Sequence, residues 1–195
     1  LWLANYPIGI TIRNNRYPSY KWIKHSIGNK QSLINDQVNA VIEDRDGDLW
    51  FATNNGISFF NSKTGQWSSV LSSFEKPQAN KSHIFLTLCE VSPGTIWAGG
   101  YSSGVYQIDK KSLQISYFMP PLYSEGVMRP DKYIRDIRMD SQGYIWSGGF
   151  YNLKRINLKT QNVRLYQGLN SITAITEKDA NNEMYTKGTM KQCNY

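Results

Sequence analysis

Three aspartates alternate with other residues in the stretch EDRDGDLWFATNNG (43–56), and carboxylates at this spacing are the ligand type of calcium-binding loops. An EF-hand loop needs oxygen ligands at positions 1, 3 and 5, a glycine at position 6 and a bidentate glutamate at position 12. Asp44, Asp46 and Asp48 fit, but Gly47 falls at the fourth position and Asn55 at the twelfth. The stretch therefore predicts a structural turn, and the sequence predicts neither a metal site nor a cofactor.

The composition indicates a chain that can bury a real core but gives little evidence of its partner. The chain has 195 residues and a net charge of +7, but its basic residues are scattered and the longest basic runs are pairs. A nucleic-acid-binding surface would need them clustered, so no nucleic-acid partner is predicted. Cys89 and Cys193 match neither a zinc motif nor a disulfide framework. No apolar run approaches the roughly 20 residues that span a bilayer, so no membrane contact is predicted within this segment.

Tryptophan recurs at a nearly constant interval. The motifs LWLAN, LWFAT, IWAGG and IWSGG place Trp2, Trp50, Trp97 and Trp146 at successive intervals of 48, 47 and 49 residues. A weaker copy, EMYTKG, has Tyr185 where the next tryptophan is due. A period in this range is typical of propeller blades and of other repeat architectures.

Each interval contains four short runs with β-strand character, which we call strands a to d. Strand a is predicted at 38–43, 85–90, 134–139 and 172–177, and strand b carries the tryptophan. Strand c is predicted at 9–14, 56–61, 104–109 and 152–157, and strand d at 20–23, 67–70, 115–118 and 163–166. The predicted units are a partial blade at 1–23, blades at 38–70, 85–118 and 134–166, and a partial, degenerate blade at 172–190.

The turn between strands a and b and the faces of strand b favour one architecture. DRDG (44–47) and DSQG (140–143) suit a type I turn closed by a glycine at positive φ, and VSPG (91–94) keeps the glycine without the aspartate. We expect structural roles for Gly47, Gly94, Gly143 and the four tryptophans. On strand b each tryptophan shares a face with Ala or Gly two residues later, and the other face is mostly apolar. A small sheet buried on both faces predicts an all-β β-propeller of four-stranded antiparallel blades; a β-sandwich, the alternative, does not explain the period.

The stretch VNAVIEDRDGDLWFATNNGISFFN (38–61) closely resembles the two-component regulator propeller repeat. That pattern is an apolar strand, Asp-x-x-Gly, Leu-Trp, a small residue, then Gly-Ile or Gly-Leu and a second apolar strand. Residues 84–109 and 133–157 are similar, and 172–188 is a degenerate copy. The resemblance implies a ligand-sensing segment of the extracytoplasmic, periplasmic part of a hybrid histidine kinase, as in Bacteroides-type sensors.

In that family the ligands are glycans or their breakdown products, and signalling proceeds by conformational change. The resemblance therefore implies an oligosaccharide ligand, the rest of the sensor kinase chain as a partner, and a homodimer. The chain has no phospho-acceptor helix or nucleotide loop, so it is not predicted to be a kinase itself. The resemblance implies a non-catalytic segment, so no enzyme activity is predicted. The first copy begins at strand b and the last stops early, which predicts either a piece of a larger ring, the interpretation we favour, or a small closed ring of four blades.

The strand order places the b-to-c links and the long d-to-a loops at one end of the blades, where binding residues are expected. The principal ligand-binding candidates are Tyr101, Phe150, Tyr151, Asn152, Tyr133, Arg135 and Arg129. Further candidates on the same links and loops are Tyr6, Asn54, Asn55, Ser102, Tyr123 and Lys132. Aromatic rings would stack on a sugar, amides and hydroxyls would bond its hydroxyl groups, and a cation would hold an acidic group.

Two other function classes are open at this stage. A propeller glycosidase or lyase would need two carboxylates facing one cleft, and the loops offer only Asp36, Glu75, Glu125 and Asp131, without a motif. His25 and His83 lie on separate loops and are expected to be solvated. A protein-interaction scaffold shares the fold but lacks a small ligand. Arg135 and Asp136, on an innermost strand, would face a central channel or pair with neighbours.

Overall fold

The structure is a computed structural model, and it describes residues 2–5, 9–13, 20–72, 82–101, 104–118, 132–166, 169–177 and 184–190. The chain forms two compact units, Leu1–Leu88 and Cys89–Tyr195. The described residues contain β-strands, turns and loops and no helix.

The first unit contains a three-stranded and a four-stranded antiparallel sheet. Each sheet is a meander, in which consecutive strands of the chain are neighbours, because tight turns join strands that alternate in direction. The strands of the three-stranded sheet are β1 (Trp2–Asn5), β2 (Gly9–Arg13) and β3 (Tyr20–Ile23). The strands of the four-stranded sheet are β4 (Val38–Glu43), β5 (Leu49–Thr53), β6 (Gly56–Phe60) and β7 (Trp67–Val70).

A second four-stranded sheet begins with β8 (Phe85–Ser92), the strand in which the first unit ends and the second begins. Its remaining strands are β9 (Thr95–Gly100), β10 (Gly104–Asp109) and β11 (Ile115–Phe118). A third four-stranded sheet contains β12 (Ile134–Met139), β13 (Tyr144–Gly149), β14 (Leu153–Asn157) and β15 (Val163–Tyr166). A two-stranded sheet contains β16 (Leu169–Glu177) and β17 (Met184–Met190).

The strands follow the runs read from the sequence, with small differences at their ends. β8 continues two residues beyond the predicted strand, to Ser92, and β16 starts at Leu169, three residues earlier than predicted. The extension of β16 is paired, since Leu169 and Asn170 lie opposite Met190 and Thr189 of β17.

The tryptophans of strand b lie in the core. Trp50 is fully buried. Trp97 packs in an apolar cluster with Ile134, Ile137 and Ile145 of the next sheet, and Trp146 packs with Ile172 and Ile175 of the sheet after that. Each of these two indoles therefore fills the space between consecutive sheets within the second unit. Nothing is described of the Trp2 side chain.

Gly148 shows why a small residue is needed two positions after Trp146. A methyl group built on Gly148 would lie 2.4 Å from Cγ2 and 2.8 Å from Cβ of Ile172. Ile172 is fully buried on β16, so it has little room to move. The close contact between β13 and β16 therefore depends on the missing side chain at Gly148.

Candidate functional site

In two of the a-to-b turns, the first aspartate accepts hydrogen bonds from the turn backbone and from the tryptophan of strand b. Oδ1 of Asp44 accepts hydrogen bonds from the backbone N–H groups of Asp46 and Asp48, both at 3.0 Å, and Oδ2 accepts one from the Trp50 indole N–H at 2.9 Å. Gly47 closes the turn, since its N–H donates to the Asp44 carbonyl at 2.9 Å and its φ is +82°.

Asp140 has the same contacts in a later copy. Its Oδ1 accepts from the N–H groups of Gln142 and Tyr144, and its Oδ2 from the Trp146 indole at 2.7 Å. Gly143 closes that turn, with a φ of +82°. Gly94 keeps the positive φ, at +74°, but Val91 replaces the aspartate, so the Trp97 indole has no turn carboxylate at that position.

Carboxylate oxygens of Asp44, Asp46 and Asp48 lie within 4.8 Å of one another, the one group of potential metal ligands found among the described residues. Both oxygens of Asp44 are engaged by the turn and the indole. Asp48 is buried, and its Oδ1 accepts from the Ser62 N–H at 2.8 Å. These contacts give Asp44 and Asp48 a structural role in the turn.

The structure brings four of the predicted binding residues together in one exposed patch. The rings of Tyr101 and Tyr133 meet edge to face, with centroids 5.1 Å apart. Tyr133 contacts Phe150 at 4.6 Å, and Phe150 contacts Tyr151 at 5.9 Å. We call Tyr101, Tyr133, Phe150 and Tyr151 the aromatic cluster. Tyr101, Phe150 and Tyr151 are 51%, 47% and 58% exposed, whereas Tyr133 is half-buried beneath them.

Strand ends position these rings. Tyr101 directly follows β9 and Tyr133 directly precedes β12, while Phe150 and Tyr151 form the link between β13 and β14. The end of strand b and the start of strand a lie at the same end of a blade, because the two strands are antiparallel neighbours. The cluster therefore draws on two adjacent sheets of the second unit.

Of the remaining principal candidates that the structure describes, one is a cation beside the cluster and one is buried. The Arg135 guanidinium is exposed and lies 6.0 Å from the centre of the Tyr133 ring. Asn152 is 5% exposed, so its amide is turned away from solvent. Arg129 lies outside the described residues. Its contribution stays a prediction.

The structure describes three of the additional candidates, Asn54, Asn55 and Lys132. Tyr6, Ser102 and Tyr123 lie outside the described residues. Asn54 bonds to the start of β4, since its amide donates to Oε1 of Gln37 at 2.6 Å and accepts from the Asn39 amide at 2.8 Å. Asn55 is half-buried and its N–H donates to the Thr53 hydroxyl. Lys132 is exposed and directly precedes Tyr133.

The predicted acid and base candidates have structural contacts. Oδ1 of Asp36 accepts from the His25 backbone N–H at 2.6 Å. The Nδ1–H groups of His25 and His83 donate to the carbonyls of Leu33 and Leu71, at 2.6 and 2.9 Å, and both rings are half-buried. The expectation that these histidines are simply solvated is therefore wrong, because each one fixes a loop carbonyl. Glu75, Glu125 and Asp131 lie outside the described residues.

Arg135 and Asp136 have separate environments although they are neighbours. Asp136 is 6% exposed; its Oδ2 accepts from the Ile175 N–H at 2.7 Å, and its Oδ1 lies 3.4 Å from Nε of Arg138. The carboxylate thus joins β12 to β16 and is paired with Arg138. Arg135 points to solvent at the aromatic cluster instead.

Cys89 is a free, half-buried thiol. Burial raises its pKa from 9.0 to about 11, an effect that a backbone hydrogen bond at Met139 only partly opposes. Since the thiolate is the reactive form, the side chain is expected to be inert near neutral pH.

Alkylation measures this pKa shift. In a Cys193→Ser variant at pH 8, the folded protein should react with iodoacetamide about a hundredfold more slowly than the same chain in urea, because two pKa units separate the thiolate fractions. Equal rates in the folded and unfolded chains would contradict a buried thiol.

Comparison with solved structures identifies the fold as a β-propeller. The extracellular domain of the hybrid two-component system BT3049 from Bacteroides thetaiotaomicron matches with a TM-score of 0.76 and 21% identity over 96% of this chain. That of the hybrid system BT4673 from the same organism matches with a TM-score of 0.69 and 19% identity, also over 96%. The WD40 β-propeller domain of Doa1 matches with a TM-score of 0.59 and 11% identity over 82%. The prediction of an all-β propeller of four-stranded antiparallel blades is confirmed, and the β-sandwich alternative is wrong.

Residues 32–55 match the family model described as two component regulator propeller, which lies on the repeat that carried the resemblance. No curated protein matches the chain. The chain spans 24% of the BT3049 structure, 26% of the BT4673 structure and 50% of the Doa1 domain. Among the described residues there is no helix long and apolar enough to cross a membrane.

Proposed function

We propose that this chain is a segment of the periplasmic sensor of a two-component signalling protein, and that it binds an oligosaccharide through the aromatic cluster. Two kinds of similarity support the assignment to a two-component sensor. A repeat in the chain matches the two component regulator propeller model, and its propeller fold is similar to extracellular domains of Bacteroides thetaiotaomicron two-component systems. The rest of the signalling chain and a second copy of the sensor are the proposed partners.

The exposed aromatic cluster is the observation that carries the ligand proposal. Three large rings, Tyr101, Phe150 and Tyr151, are about half exposed although they touch one another or Tyr133. Grouped exposed rings mark interaction sites more often than scattered single ones do. The apolar C–H faces of a pyranose pack on aromatic rings, and the tyrosine hydroxyls offer hydrogen bonds to its hydroxyl groups.

The cluster is also placed where binding can be coupled to a change of conformation. Tyr101 belongs to the sheet of β8–β11, whereas Phe150 and Tyr151 belong to that of β12–β15. A ligand that contacts both groups changes its affinity when the spacing of the two sheets changes. Such a difference in affinity is what a ligand needs in order to shift a sensor between two states.

The described residues favour binding over catalysis. A glycosidase needs two carboxylates that face the bound sugar. Asp136 follows Arg135 directly in the chain, but it is buried and bonded to Ile175. Asp36 lies on a loop of the first unit and accepts from His25. The function proposed is therefore recognition without turnover.

Calorimetric titration with a panel of plant and host oligosaccharides tests the proposal. We expect one glycan to bind, to be recovered intact, and to bind at least about fivefold more weakly to Tyr151→Ala, because a stacked ring contributes about 1 kcal/mol. Tyr185→Ala is the matched control, since Tyr185 is 48% exposed and lies on β17, outside the cluster.

Three outcomes would count against oligosaccharide sensing through the cluster. Turnover of the bound glycan would favour an enzyme. Calorimetric binding of a protein partner, together with no binding of any glycan in the panel, would favour an interaction scaffold. An equal loss in Tyr151→Ala and Tyr185→Ala would show that the cluster is not the binding site.

A further inference from the structure

We propose that the site selects an anionic oligosaccharide and that Arg135 pairs with its carboxylate or sulfate group. This inference rests on the proposed function of the aromatic cluster and adds the chemical class of the ligand. The neutral part of such a ligand would lie on the rings, and its anionic group would lie at the edge that Arg135 occupies.

A β-bulge directs Arg135 towards the cluster. Ile134 pairs with Gly149 and Asp136 pairs with Gly148, so Arg135 is the extra residue between two consecutive pairs. A bulge changes the direction in which a side chain leaves its strand, and bulges are common beside functional sites. Here the residue on either side of Arg135 is buried, while Arg135 itself is exposed.

The equivalent bulge in β4, in the sheet of β4–β7, has a structural role. Val38 pairs with Thr53 and Ala40 with Ala52, which leaves Asn39 as the extra residue. Its Nδ2 donates to Oδ1 of Asn54 and to the carbonyl of Phe85, both at 2.8 Å. The amide at this position therefore bonds to its own sheet at Asn54 and to β8 of the next sheet at Phe85. Arginine at the same position has no such bonds within the described part of the chain.

No described carboxylate neutralises Arg135. Among the described residues its contact is the Tyr133 ring, at 6.0 Å, and the side chain is exposed. The neighbouring Asp136 is paired with Arg138 instead. Lys132 adds a second exposed cationic residue next to Tyr133 in the chain.

A guanidinium at the edge of an aromatic cluster suits a carboxylate or a sulfate group on a sugar. Arginine binds carboxylates through two parallel hydrogen bonds, and charged hydrogen bonds are about twice as strong as neutral ones. A uronic acid and a sulfated sugar both provide such oxygens, so the test must separate these two sources.

Two matched ligand pairs provide that test by calorimetry with the whole chain. The first pair is trigalacturonate and its methyl ester, and the second is a sulfated galactotriose and galactotriose itself. We expect one of the anionic members to bind at least about tenfold more tightly than its neutral counterpart, which identifies the source. Arg135→Gln should abolish that preference and leave the affinity for the neutral member nearly unchanged.

Arg164→Gln is the matched control. Arg164 is also exposed and lies 5.0 Å from the ring of Tyr166, but it is on β15, away from the cluster. The preference should survive in this variant. An equal loss in both variants would show non-specific attraction by the basic chain and would overturn the role of Arg135.

The two proposals can fail separately. Equal binding of charged and neutral members, unchanged by Arg135→Gln, would overturn the anionic class and leave oligosaccharide binding intact. Failure of all four probes and of the wider glycan panel would overturn the proposed function, and with it this inference.

Discussion

Asp140→Ala is expected to lower the free energy of unfolding by about 3 kcal/mol, because three donors lose one acceptor group. The carboxylate is 5% exposed and accepts from the N–H groups of Gln142 and Tyr144 and from the Trp146 indole. Alanine leaves the indole N–H without its carboxylate in the core and removes the acceptor of two backbone N–H groups in the turn. Unsatisfied buried donors of this kind cost about 1–3 kcal/mol each.

Urea unfolding followed by tryptophan fluorescence measures this loss of unfolding free energy. Two variants that should lose less serve as controls. Asp140→Asn should cost about 1 kcal/mol, because an amide retains one acceptor oxygen but no charge. Asp109→Ala removes an exposed turn aspartate that accepts from the Ser112 N–H and hydroxyl groups. If Asp140→Ala were no more destabilising than Asp109→Ala, the proposed link between turn and indole would be wrong.

The fold could be predicted because its signals are local and are repeated. Each strand is a short apolar run bounded by turn residues, and the tryptophan marks the same strand in every copy. The i to i+6 spacing of Asp44 to Trp50 and Asp140 to Trp146 was also visible, and Val91 before Trp97 showed that the aspartate is dispensable for the turn. The carboxylate–indole hydrogen bond was nevertheless missed, because two residues six apart meet only when the hairpin folds one over the other.

The candidate site could be predicted in part. Its aromatic members follow from strand order, because Tyr101, Tyr133, Phe150 and Tyr151 all flank strand ends at the same end of the blades. The burial of Asn152 and the exposure of Arg135 could not be read from the sequence. A strict two-residue alternation places Arg135 and Asp136 on opposite faces without saying which one is buried, and a bulge adds one residue that no periodicity reveals.

Gly148→Ala is expected to destabilise the chain by about 2–3 kcal/mol through overpacking. The new methyl group would lie 2.4 Å from Cγ2 of Ile172, well inside the usual carbon–carbon contact distance of about 3.5–4.0 Å. Ile172 is fully buried in the same apolar cluster as Trp146 and Ile175, so either β16 moves or the isoleucine leaves its preferred rotamer. Urea unfolding measures the cost.

Gly143→Ala separates this steric effect from the conformational preference of glycine. Gly143 has a φ of +82° and nothing within 4 Å of an added methyl group, so only about 1 kcal/mol of backbone strain is expected there. A larger loss at Gly143 than at Gly148 would contradict the packing argument.

A double variant, Gly148→Ala with Ile172→Ala, tests the contact directly. Its loss of unfolding free energy should be at least about 1 kcal/mol smaller than the sum of the losses in the two single variants, because the new methyl group fills space that the isoleucine vacates. Full additivity would mean that the two residues do not meet, and the tight contact between β13 and β16 would then need another explanation.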